Sequence, residues 1–158
     1  MIRSARFLGT ATALLALAGM GVSAYLTYTH YADRSVACAV VHGCQTVQQS
    51  EYARLAGVPI ALLGGLLYAG LLGSSAAWAV RGLWWWGLAA WFLALSGAAY
   101  SAYLTYLELE VIEAICFWCV TSAVLLAAAL CSTSLGLPRV LRDADEALNG
   151  RPLAQDDV

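Results

Sequence analysis

The chain has 158 residues, of which 61% are apolar and 11% charged, with eight arginines, no lysine and a formal net charge of −2. An ordinary soluble domain is about 25% charged, so this composition excludes a disordered chain, and the lack of any basic patch excludes a nucleic-acid binder. About 30 Å of bilayer hydrocarbon takes about 20 apolar residues per helix, and the apolar residues here suffice for four such spans.

The first expected span runs over 7–28 and contains no charge. Arg3 and Arg6 before it, with Val22-Ser23-Ala24 near its end, also resemble a cleavable signal. Its length exceeds the usual apolar core of a signal, so a retained span is expected. An outer loop follows over 29–58, within which Val47 to Gly57 suits a short interfacial helix. The second span covers 59–80, beginning at the Gly57-Val58-Pro59 stop signal. Arg81-Gly82 separates it from the third, over 83–107, and the fourth is expected over 111–131. Tyr25, Tyr28, Trp78, Trp84, Tyr103 and Trp118 lie near span ends, where amphipathic rings suit the membrane interface. The fold class is therefore an all-α integral membrane four-helix bundle with an extracytoplasmic loop carrying a short helix. Residues 1–135 form the membrane domain and 136–158 a polar cytoplasmic tail.

Ser23-Ala24-Tyr25-Leu26-Thr27-Tyr28 recurs as Ser101-Ala102-Tyr103-Leu104-Thr105-Tyr106. Each copy is followed by a cysteine 15 residues after its serine, at Cys38 and Cys116. The repeat places the ends of spans one and three on one side of the membrane. With the N-terminus inside, six arginines (Arg3, Arg6, Arg81, Arg139, Arg142, Arg151) fall on the inner side and two (Arg34, Arg54) on the outer. This bias predicts a multi-pass protein of the plasma (inner) membrane with both termini cytoplasmic. The turn at 108–112, with Glu108, Glu110 and the nearby Glu113, then faces outside.

Four of the five cysteines collect on that outer side. Cys38 and Cys44 lie in the outer loop, and Cys116-Phe117-Trp118-Cys119 opens the fourth span. An extracytoplasmic compartment permits disulfides. Cysteines at i and i+3 share a helix face about 5–6 Å apart, and a helix N-terminus favours the thiolate that attacks disulfides. Glu113 opposes a depressed thiol pKa if it lies close. Redox chemistry is the favoured reading; structural zinc on four thiolates and two purely structural disulfides are the alternatives. His42, between the loop cysteines, reads as a solvated histidine, and Cys131 as a buried small residue in the fourth span.

The sequence resembles the bacterial and archaeal homologues of vitamin K epoxide reductase over about residues 7–131. The resemblance is carried by Cys38 and Cys44 with five residues between, then Ser50 and Tyr52, then Gly57-Val58-Pro59-Ile60-Ala61-Leu62-Leu63-Gly64, then Cys116-Phe117-Trp118-Cys119. It implies a four-helix bundle around a quinone (ubiquinone or menaquinone). It implies a relay in which Cys38 exchanges with a thioredoxin-like partner, Cys44 passes electrons to Cys116, and Cys119 adjoins the quinone. Ser50 resembles the loop serine near the reactive cysteines. At the positions where animal members carry an asparagine and a tyrosine facing the quinone, this chain has an apolar residue near Ile60 and Ala123, so quinone reduction driven by protein disulfide formation is implied rather than epoxide reduction. About 27 residues follow Cys131, so the partner is expected to be a separate protein of the DsbA type. The unrelated DsbB type has its cysteine pairs in the reverse order, and a metal-binding or scaffolding membrane protein is the non-enzymatic alternative.

Overall fold

The computed structural model describes residues 2–32, 36, 44–50, 53–55 and 57–149. Its elements in chain order are α1 (Ile2–Tyr31), α2 (Cys44–Gln49), β1 (Arg54–Leu55), β2 (Val58–Pro59), α3 (Ile60–Arg81), α4 (Trp84–Glu110) and α5 (Phe117–Leu148). The four long helices are each long and apolar enough to cross a membrane. In hydrocarbon a helix satisfies its backbone groups internally, which is why uninterrupted apolar runs become helices there.

The helices form a ring: α1 packs on α3, α3 on α4, α4 on α5 and α5 back on α1. Small residues fill the centre. Ala16, Ala90 and Ala94 are fully buried around Tyr68, Leu71 and Leu126. Large apolar side chains point outward, with Leu66 at 66%, Val124 at 62% and Leu135 at 72% exposure. A soluble bundle places these classes the other way round. Between membrane helices, close packing of small residues holds the interface, because lipid is as apolar as leucine. Buried hydroxyls join α1 to α5 through Thr12 Oγ1 and Ser132 Oγ at 3.0 Å.

One contact fixes how closely α1 and α3 approach. The Tyr68 ring lies over Gly19, and a Cβ on that glycine would collide with ring atoms Cε1 and Cζ. At the opposite end α3 stops at Gly82, whose left-handed backbone (φ 67°) lets its N–H close on the Trp78 carbonyl at 2.9 Å.

Four sequence expectations are corrected. The fourth span begins at Phe117, not 111, because residues 111–116 fold back onto α4. The N–H groups of Val111 and Ile112 bond to the Leu107 carbonyl, and that of Ala114 to the Glu108 carbonyl. Exposed Glu113 turns the chain there with a positive φ of 52°. The same helix continues past 131 to Leu148, into the expected tail, because Gly136 and Val140 pack against Trp78 and Gly87. In the loop, helix forms over Cys44–Gln49 and not across 47–57; the later part is a two-residue antiparallel ladder pairing Arg54 with Pro59 and Leu55 with Val58. Cys131 is exposed on the outer face of α5, not buried.

Gly19→Leu should push α1 from α3 and cost about 1–3 kcal/mol of stability by overpacking. Gly21→Leu, whose Cβ meets nothing within 4 Å, should leave stability unchanged. Thermal unfolding in detergent compares the two.

Candidate functional site

The end of α1, the start of α3, the end of α4 and the start of α5 meet at one end of the bundle. Between them lies a cavity of about 450 Å³. Both copies of the repeated hexapeptide line it, through Ser23 and Leu26 of α1 and through Ser101, Leu104 and Thr105 of α4. The repeat therefore supplies two facing walls of one cavity. Tyr68 reaches its floor, where its hydroxyl lies 2.9 Å from Ser122 Oγ and 3.1 Å from the Ser122 carbonyl oxygen. Val47 and Ser50 line it from the loop side.

Three of the described cysteines, Cys44, Cys116 and Cys119, gather at the mouth. Cys44 opens α2, is fully buried and is disulfide-bonded. Cys116 is also fully buried and packs with Cys44 and Val47 in one apolar cluster, with Val36, Ile112 and Trp118 around it. Trp118 packs at a tilt against Tyr25 of α1, with ring centroids 5.0 Å apart. Cys116, Cys119 and Cys131 are free thiols. Cys116 caps the N-terminus of α5 in extended conformation (φ −97°, ψ 114°), and Cys119 sits in the first turn on the cavity wall. The pair thus straddles the helix start, with one member turned to Cys44 and the other to the cavity.

A buried carboxylate joins the two. Glu108, in the last turn of α4, is 4% exposed. Its Oε2 accepts the Cys116 backbone N–H at 3.1 Å, and its carboxyl lies against the Cys119 side chain. The hydrogen bond from the Cys119 side chain lowers the Cys116 thiol pKa, outweighing burial and the Glu108 charge, which raise it. The carboxylate opposing the thiolate is thus Glu108, whereas Glu113 is exposed in the turn.

The other expected site residues fall as follows. Ser50 lines the cavity, but its hydroxyl donates to the Val47 carbonyl at 2.7 Å and so closes the end of α2. Ile60, the first residue of α3, lines the cavity. Ala123 does not. The lining face of α5 follows Cys119, Ser122 and Leu126, a spacing of i, i+3 and i+7 that turns residue 123 aside. Cys38, His42 and Tyr52 lie outside the described residues, as do Arg34 and Arg151. Among the described residues no three His, Cys, Asp or Glu side chains come together to hold a metal ion.

Sequence reasoning missed Glu108, Tyr68 and Ser122. Glu108 read as one of three acidic residues in an outer turn. Its signal was position, a carboxylate ending an uncharged span eight residues before Cys116. Tyr68 and Ser122 gave no signal beyond being polar in apolar runs.

A free dithiol on a cavity wall, packed against a cysteine already in a disulfide, is equipment for thiol–disulfide exchange in a membrane. A family model described as "Vitamin K epoxide reductase family" matches residues 10–134, a stretch that includes all four long helices' packed core and both cysteine pairs. The chain therefore belongs to the vitamin K epoxide reductase family, and with it to the membrane oxidoreductases.

Proposed function

We propose that this protein is a membrane thiol:quinone oxidoreductase that supports disulfide formation. Electrons enter from a thioredoxin-like partner of the DsbA type at Cys38 and Cys44, pass to Cys116 and Cys119, and leave to a quinone. The supporting observation is the shared burial of Cys44 and Cys116 in one cluster, with Cys119 on the cavity wall.

Exchange runs through mixed disulfides. Once the partner has reduced the loop pair, the Cys44 thiolate attacks Cys116 Sγ of an oxidised Cys116–Cys119 pair, and Cys119 leaves as the thiolate beside the cavity. Attack of Cys38 on Cys44 then closes the loop disulfide and frees Cys116. That last state has Cys44 in a disulfide with Cys116 and Cys119 free, the arrangement described above. The order is chemically reasonable for a thiol held low in pKa, since Cys116 is both a good leaving group and a ready nucleophile.

The cavity fits a quinone head group. Its volume lies within the range of about 300–1,000 Å³ usual for small-molecule sites. Its walls are mostly apolar, with Leu26, Leu104 and Leu126, and its few polar groups converge at Tyr68, Ser122 and Cys119. A bound quinone supplies a two-electron, two-proton acceptor. The protein holds it beside Cys119 and keeps water out. An apolar Ile60 on the wall favours plain quinone reduction over epoxide reduction.

The arginine distribution supports placing the cysteine end outside the plasma (inner) membrane and both termini in the cytoplasm. Arg81 closes α3, and Arg139 and Arg142 lie in the second half of α5, both at the end away from the cavity.

Cys116→Ala or Cys119→Ala should abolish quinone reduction by a reduced thioredoxin-like substrate; turnover at the wild-type rate would refute the relay. Because the Cys119 hydrogen bond favours the Cys116 thiolate, its removal should raise the Cys116 pKa. In Cys119→Ala the thiolate absorbance should therefore develop at higher pH than in Cys119→Ser, which retains a donor. Coincident titration curves would show that the bond does not set the thiol's acidity. Mass analysis of co-purified quinone distinguishes ubiquinone from menaquinone.

A further inference from the structure

Among the charged side chains near the cavity, Glu108 is nearly fully buried and lines the same cavity as Cys119. Two of its contacts are with the dithiol segment itself, the Cys116 backbone N–H at 3.1 Å and the Cys119 side chain. A carboxylate buried this deeply costs free energy unless its hydrogen bonds and its chemistry justify it. A helix-capping role alone would need only the Cys116 N–H. The second contact, to a sulfur that must lose a proton, calls for a different account.

We propose that Glu108 is a catalytic proton acceptor for Cys119, taking the thiol proton when the dithiol is oxidised and passing it into the cavity. The proposal rests on the relay reading above. Oxidation of the dithiol removes two electrons and two protons. The Cys119 S–H bond breaks, its electron pair stays on Sγ, and the proton forms an O–H bond on Glu108. The Cys116–Cys119 S–S bond then forms, and both electrons go to a two-electron acceptor in the cavity, a quinone in that reading. Both protons end on the same acceptor, one by way of Glu108 and the other from the Cys116 thiol.

Geometry favours Glu108 for this step over the neighbouring acids. Glu110 and Glu113 are exposed, and neither lines the cavity. Glu108 alone of the three touches the thiol and the cavity together. The N–H of Cys116 holds one carboxylate oxygen, which fixes the orientation of the group toward Cys119. A positioned base of this kind contributes about 10²–10⁴-fold to a rate.

The test uses the full chain in detergent. Glu108→Gln keeps the size of the side chain and an oxygen for the Cys116 N–H but cannot take up the proton. It should lower kcat for quinone reduction by about 10²–10⁴-fold, with KM for quinone and the rate of exchange between partner and loop cysteines unchanged. Formate should partly restore turnover in Glu108→Ala. A second measurement needs neither a variant nor quinone. When the wild-type Cys116–Cys119 pair is cycled with a soluble oxidant and a thiol reductant, the infrared difference spectrum should contain a carboxyl band that is lost when glutamate is isotope-shifted. Retention of near-wild-type kcat in Glu108→Gln, or a difference spectrum without a glutamate band, would overturn the proposal. Loss of turnover in the cysteine variants together with a silent glutamate would leave the relay standing and remove Glu108 from it. The infrared arm reads the dithiol itself, so a failure of the quinone assignment does not disturb it.

Discussion

The hydrogen bond from the Cys116 N–H to the Glu108 carboxylate is the link on which the redox end of this molecule depends. A helix start leaves its first N–H groups without internal partners, and no side chain at Cys116 caps α5. Glu108 satisfies the orphan donor at the cap itself from the last turn of the preceding helix. The bond thereby ties the exit of α4 to the start of α5 and holds residues 111–116 folded back between them. A negative charge near a helix N-terminus is also favoured by the helix dipole, by about 0.3–1 kcal/mol. With the segment pinned in this way, Cys116 faces the loop and Cys119 faces the cavity. Without it, the two thiols would share one face of a helix beginning several residues earlier, as spacing alone suggests.

The cavity depends on a second constraint, the size of the residues between the helices. Tyr68 is a large polar side chain buried at the centre of the ring, and Gly19 makes room for it. Its hydroxyl is anchored to Ser122 on α5, less than one helical turn beyond Cys119 and on the same face. A substitution that displaced Tyr68 would therefore reach the dithiol through α5. The duplicated Ser-Ala-Tyr-Leu-Thr-Tyr segment contributes matching small polar and apolar groups to opposite walls.

Much of this was legible in the sequence because hydrocarbon imposes a simple rule. Uncharged runs of about 20 residues become helices, and the starts of α3 and α4 fall within a residue or so of the expected positions. The cysteine pairs were legible because their residue type and order are unusual in so apolar a chain. Less legible were features decided by packing and hydrogen bonding. Apart from Glu113 itself the run from 111 into 117 stays apolar, so hydropathy does not mark the turn that Glu113 makes with its positive φ. Residues 136–148 look polar on average, yet Gly136 faces Trp78 and Val140 faces Gly87, and this packing keeps the helix intact. Glu108 reads as a solvated acid in the sequence because its burial comes from residues 111–119 folding back over it.

The length of α5 has a consequence for where electrons change carriers. Its 32 residues span about 48 Å at 1.5 Å per residue, well beyond a hydrocarbon thickness of about 30 Å. From Phe117 to Arg139 the rise is about 33 Å, close to that thickness. If the arginines ride at one surface, the start of α5 rides at the other, and the excess length projects past the membrane on the arginine side. Cys116 then lies at the water boundary and Cys119 about one helical turn deeper, on the lipid side of it. In the proposed relay, the step from a carrier that diffuses in water to one that diffuses in lipid is thereby compressed into three residues of a single helix.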